Sequence, residues 1–119
     1  MTDRKTYFID IDGTLVHHHN NFETSLDSAC ELLVLAGAKE KTIKWHCEGH
    51  MIILTTARPG STRELTERQL NLAGIVYNRL IMDLGAGPRI LINDYVGAKN
   101  LKAIAYNVAR NIDGLSQIP

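Results

Sequence analysis

Four short apolar runs punctuate the chain. Tyr7 to Ile11 reads as a first, buried strand, and His50 to Thr55, apolar through Met51-Ile52-Ile53-Leu54, as a second. Arg79 to Met82 predicts a short third strand and Arg89 to Ile92 a fourth. Between the first two runs, Ala38 to Glu48 has helical character. Ile43 and Cys47 lie one turn apart, Trp45 is a packing residue, and Gly49 stands just past the end. A second helix is expected from about Thr62 to Ala73. Ser61 would be its N-cap, Glu64 would close a capping box, Leu65 and Leu72 would repeat at i,i+7, and Gly74 would stop it. Residues 15–37 look irregular, Gly85 to Pro88 is a turn, and Lys99 to Val108 fits either alternation or a helix. The tail after Asn111 has no clear pattern.

Strands alternating with helices imply a mainly parallel, helix-covered sheet. Ligand sites in such sheets lie beyond the carboxyl ends of the strands. Three of the runs end in polar groups: Asp10 and Asp12, Thr55-Thr56, and Asn93-Asp94. Asp10 and Asp12 are two apart, so on a strand they face the same side. Gly13 then breaks the strand and lets backbone approach a ligand. Two converging carboxylates suit a hard cation such as Mg²⁺. They also suit a division of labour, one acid as nucleophile and the other as proton donor and acceptor.

The length, 119 residues, fits one domain over 1–119, and 45% hydrophobic residues is ordinary for a globular chain. Thirteen basic residues balance thirteen acidic ones. Zero net charge lacks the electrostatic footprint of a general nucleic-acid binder and favours self-association. Cys30 and Cys47 form no CxxC pair and read as two reduced thiols in or near the core. The N-terminus has no signal-peptide core, and no segment has the length to span a bilayer, so a cytoplasmic protein with no membrane partner is expected. His17, His18 and His19 are consecutive and cannot easily converge on one ion, so they read as a solvated loop.

Asp10-x-Asp12-Gly13-Thr14-Leu15 resembles the first motif of the haloacid dehalogenase (HAD) superfamily of aspartate-nucleophile phosphatases. Thr55-Thr56-Ala57-Arg58 is similar to its second motif, and Ile90-Leu91-Ile92-Asn93-Asp94 to its fourth. Order and spacing agree over roughly residues 6–95. The resemblance implies a three-layer, Rossmann-like α/β core and a Mg²⁺-dependent phosphomonoester hydrolase working through an aspartyl-phosphate. It makes Asp10 the nucleophile and Asp12 the acid–base. Asp10, Asp94 and the Asp12 carbonyl would hold Mg²⁺, with Asn93 as a further ligand, and Thr56 and the amides near Gly13 would bind phosphoryl oxygens. In the family the His17–His19 position often flanks the active site. The third motif, a Lys or Arg before the last strand, is not obvious, because no Lys lies between Thr56 and Asp94. Arg79 and Arg89 are the candidates best placed by order, with Arg58 and Lys99 behind them. Lys99, Lys102 and Arg110 read as a solvated face.

Neither gap between motifs holds a cap domain, so the resemblance is to the small capless members, which include sugar-phosphate phosphatases that cover the site with a neighbouring subunit. A phosphorylated sugar or sugar acid is the expected substrate, in a homo-oligomer. Two other classes stay open: a nucleic-acid or nucleotide end phosphatase, which the neutral charge disfavours, and a non-catalytic Mg²⁺- or phosphate-binding relative, which the two retained aspartates disfavour.

Overall fold

The computed structural model describes residues 3–18 and 33–119. In chain order it contains β1 (Thr6–Asp10), α1 (Ala38–Cys47), β2 (Met51–Thr55), α2 (Arg63–Leu72) and β3 (Arg79–Ile81). β1 pairs with β2 and β2 with β3, all parallel. The register aligns Asp10 with Thr55 and Thr55 with Ile81, so the three carboxyl ends are level. Cys30 lies outside the described residues, as does His19.

Both crossovers step the same way across the sheet. The right-handed rule for parallel connections therefore places α1 and α2 on one face. Ile9, Ile52, Leu54 and Leu80 from the strands meet Trp45 and Leu70 there in one core. Tyr7 stacks on Trp45 with ring centroids 4.0 Å apart. On the opposite face Phe8 is 55% exposed and Ile81 43% exposed. The α/β class and the parallel sheet are as the sequence implies. Of the three expected layers, the described residues form two.

The helices bury different faces from those the periodicity suggests. α1 turns Ala38, Thr42 and Trp45 inward, whereas Ile43 and Cys47 are exposed. Thr42 is tolerated because its hydroxyl donates to the Ala38 carbonyl at 2.9 Å, which leaves no orphaned polar group. α2 begins at Arg63, after a 3-10 turn over Gly60–Thr62. The capping box at Ser61 does not form: the cap position is Thr62, without a side-chain cap bond, and the Thr62 hydroxyl donates back to the Pro59 carbonyl at 2.7 Å. Leu72 is 82% exposed, while Thr66 and Gln69 are buried. Those two polar residues face inward because a buried arginine needs them, as described below.

The predicted fourth strand is not formed. No residue from 82 to 94 lies in a strand, and Ile90 and Ile92 are 83% and 86% exposed. A strand parallel to β1 needs a crossover of about a dozen residues or more, and only residues 82–89 separate β3 from the apolar run. Residues 90–108 instead run out and back as an arm. A Tyr95–Leu101 bridge holds its limbs, and the Asn100 amide donates to the Gly97 carbonyl at its turn. Lys99 to Val108 is neither helix nor strand.

The patternless tail packs onto the body. Leu115 joins the core, the Leu115 amide donates to the Ala36 carbonyl at 2.9 Å, and the Asn111 amide donates to the Gly13 carbonyl at 3.0 Å. Gly114, at φ +55°, permits this approach; a Cβ there would lie 2.3 Å from the Ala36 oxygen.

Candidate active site

β1 ends in a tight loop. The Thr14, Leu15 and Val16 amides all point to the Ile11 carbonyl, at 3.2, 2.9 and 3.2 Å, and the Gly13 amide donates to the Val16 carbonyl at 2.7 Å. Ile11, Leu15 and Val16 are fully buried and anchor the loop from below. Gly13 adopts φ +90°, where a side chain would be strained. Asp10 and Asp12 thus project beyond the sheet at its carboxyl end, beside Thr56.

These three residues line a cavity of about 200 Å³, together with His18, Ala57 and Arg58. Ala86, Arg89 and Arg110 complete its wall. A larger groove of about 470 Å³ runs along α2 past Glu64, Glu67, Arg68 and Asn71. It lies away from the strand ends on which the acids converge, so the smaller cavity is the candidate site.

Arg58 organises the cavity. It is 2% exposed. Its Nε donates to Asp12 Oδ2 at 2.9 Å and its Nη2 to Asp12 Oδ1 at 2.8 Å, a two-point fork. Its Nη1 donates to Gln69 Oε1 at 2.6 Å and Thr66 Oγ1 at 3.2 Å. A buried guanidinium is tolerable only when paired and bonded in this way. The Arg58 amide also donates to Thr56 Oγ1 at 3.1 Å, which leaves the Thr56 hydroxyl proton available to an oxygen in the cavity.

Asp10 sits at the exposed mouth of the cavity, yet enough protein surrounds its carboxyl to alter its acidity. Burial, with a smaller push from Asp12, raises it above the ordinary carboxylate value. A hydrogen bond from the Ile11 backbone, Arg89 and His18 work in the opposite direction. Arg89 is held by its own loop, its Nη1 donating to the Gly85 and Gly87 carbonyls at 2.6 and 2.8 Å. Arg110 lies over Gly13, where a Cβ would stand 3.0 Å from the Arg110 Cγ. The neighbouring Asn111 holds the His18 backbone from both sides. Its Oδ1 accepts from the His18 amide at 2.6 Å, and its Nδ2 donates to the His18 carbonyl at 3.1 Å.

The cavity therefore gathers Asp10, Asp12, Thr56 and Arg89 of the sequence-predicted residues, with Gly13 beneath them. Arg79 is exposed on β3 and does not line it. Asn93 and Asp94 are exposed on the arm and do not line it either. No group of three His, Cys, Asp or Glu side chains gathers among the described residues. Asp12 is tied to Arg58, so among the described residues Asp10 is the one carboxylate lining the cavity without a salt bridge. The assembled residues do not make up a Mg²⁺ shell by themselves. Arg110, read as solvated surface, lines the cavity, and so does His18. No local pattern marked Arg110, because what places it is the docking of a tail that begins a hundred residues after Asp10. Among the described residues, no helix is long and apolar enough to cross a membrane.

No protein-family model matches the chain, and no curated protein matches it. Solved structures do. A Vibrio cholerae protein superposes with a TM-score of 0.54 at 20% identity, covering 75% of this chain and 79% of its own. D,D-heptose 1,7-bisphosphate phosphatase from B. bronchiseptica, complexed with magnesium and phosphate, gives 0.50 at 20% identity over 69% of this chain. A chain of the Pnkp1/Rnl/Hen1 complex gives 0.57 at 26% identity over 76% of this chain. This chain spans 51% of the heptose bisphosphate phosphatase and 32% of the chain from the complex. At these identities the likeness is one of fold. With the Asp10–Leu15 motif at the end of β1, it makes the chain a haloacid dehalogenase-like protein in fold.

Proposed function

We propose that the protein hydrolyses phosphate monoesters, with Asp10 as nucleophile and Asp12 as acid and base. The observation that carries this reading is the convergence of Asp10, Asp12, Thr56, Arg89 and Arg110 on one cavity, with Asp12 locked in place by Arg58. An Asp10 oxygen attacks phosphorus and the bond to the leaving oxygen breaks; Asp12 delivers the proton that the leaving group needs. Water then attacks the aspartyl-phosphate and gives its proton to Asp12, and inorganic phosphate leaves. Arg58 occupies one lone pair on each Asp12 oxygen and leaves the others for this traffic. Thr56, Arg89 and Arg110 supply donors and positive charge where the phosphoryl oxygens gather charge.

The neighbour complexed with magnesium and phosphate supports Mg²⁺ as the cofactor, with Asp94 as the acid its shell still needs. A phosphorylated sugar or sugar acid is the substrate class we propose, on the likeness of the motifs to those of small capless phosphatases. Asp94 standing outside the cavity favours one competitor, a non-catalytic phosphate-binding relative. The test is phosphate release from sugar phosphates, nucleotides and a 3′-phosphorylated oligonucleotide, with and without Mg²⁺, beside Asp10→Asn. Mg²⁺-dependent release lost in the variant is expected. Release that survives Asp10→Asn would remove Asp10 as nucleophile.

A further inference from the structure

β1 is an edge strand. It pairs with β2 on one side, and among the described residues its other backbone edge is unpaired. An open edge of a parallel sheet is unusual and invites another strand. The same chain carries an unused strand: Ile90 and Ile92 are more than four-fifths exposed, and Leu91 is 52% exposed.

The two cannot meet within one chain in the useful direction. Arg89 lines the cavity with Asp10, at the carboxyl end of β1. A strand leaving from there along β1 would run antiparallel, and five residues at about 3.3 Å each would carry Asp94 roughly 16 Å away from Asp10. To run parallel, Ile90 would have to start at the far end of β1, yet a trans peptide puts its Cα only about 3.8 Å from that of Arg89.

A second copy has no such restriction. We propose that the arms of two copies exchange, so that the partner's Arg89–Asp94 segment adds parallel to the free edge of β1 and brings the partner's Asp94 beside Asp10. The arrangement closes as a two-fold dimer. Each segment leaves its own cavity and ends at the other one. The two segments run antiparallel about the axis, and one sheet continues from β3 of one copy to β3 of the next. Leu91 turns to the helix-covered face, Ile92 packs beside Phe8 on the other face, and the missing third acid arrives. Zero net charge imposes no repulsion on this association. The return limb already passes near this strand, since Tyr106, after burial and Glu48, adds to the upward push on the Tyr7 phenol. The role given to Asp94 rests on the phosphatase reading, whereas the shared sheet does not.

The first readout is mass by light scattering. The expected particle is twice 13.3 kDa, and Ile92→Asp, at a position exposed within one chain, should halve it. The second is a cross-link. With Asp94 level with Asp10, Ile92 stands beside Phe8 of the other copy. Phe8→Cys with Ile92→Cys, in a chain whose Cys30 and Cys47 are serine, should give a covalent dimer on a non-reducing denaturing gel. A monomer by mass, or a cross-link that leaves every chain at monomer mass, overturns the proposal. The third readout mixes Asp10→Asn with Asp94→Asn after co-refolding. Each is inactive alone, and half of the chains pair as mixed dimers with one intact site, so about a quarter of wild-type turnover should return. A covalent dimer with wild-type turnover but no recovery on mixing removes the sharing of Asp94. A covalent dimer whose wild type has no turnover sinks the phosphatase reading and leaves the shared sheet standing.

Discussion

Replacing Arg58 with alanine tests the organisation of the cavity most directly. The guanidinium is 2% exposed and makes four side-chain hydrogen bonds, two to Asp12 and one each to Gln69 and Thr66. Removing one partner of a buried pair costs about 3–5 kcal/mol, because the other charge is left behind. The Asp12 side chain is 19% exposed, so water partly solvates it and the lower end applies. The stranded Gln69 carbonyl lies within that figure, since contributions of contacting groups do not add. The expected loss is about 3 kcal/mol. With a urea slope of about 1.5 kcal/mol/M for a chain of this size, the midpoint falls by about 2 M. Trp45 is the sole tryptophan, is buried against Tyr7, and reports the transition by its fluorescence. Arg58→Lys should recover less than half of the loss, because a point charge cannot span both Asp12 oxygens and Gln69. Adding Asp12→Asn to Arg58→Ala should give a double variant more stable than the two single losses summed. A midpoint shift under about 0.5 M for Arg58→Ala, or strict additivity in the double variant, would refute the view that this pair is a coupled buried unit.

Other expectations follow from the same geometry. In metal-free protein the Asp10 carboxyl should titrate above the ordinary aspartate value by carbon-detected NMR, and Arg89→Ala should move it further up, because Arg89 favours the ionised form. A raised carboxyl costs stability once ionised, so metal-free Asp10→Asn should be at least as stable as wild type at neutral pH; its advantage should shrink as pH falls through the native and then the unfolded value. Trp45→Ala should cost about 3–5 kcal/mol by urea melt, as for other large core truncations, since Trp45 is 2% exposed and stacked. Gly114→Ala should push the tail off Ala36 at a cost of about 1–3 kcal/mol, and titration with inorganic phosphate should show weaker binding because Arg110 goes with the tail.

Local signals made the first three strands, both helices and their stops legible, because apolar runs and glycine stops are properties of neighbouring residues. The motif at Asp10–Thr14 marked the candidate cavity for the same reason, since one strand end and one glycine create it. Reading failed where distant partners decide. Thr66 and Gln69 face inward only because Arg58 is there to be satisfied, so Leu65 and Leu72 were the wrong stripe. Arg110 carried no mark, because the Asn111 and Leu115 contacts that place it span nearly the whole chain. Arg89–Ile92 reads as a strand by composition, but a strand needs a reachable edge, and the length of residues 82–89 decides that.

The tail bonds have a kinetic meaning. The loop at Gly13 and the residue that closes over it, Arg110, are almost a hundred positions apart, so bringing them together closes a loop that spans most of the chain. The sheet and both helices can form with nearer neighbours first, leaving the candidate cavity as the last part to assemble. It should also be the first to come undone. The Asn111 amide, bonded across that closure to Gly13, should exchange with solvent through a local opening far smaller than the one that frees Leu54 in the central strand.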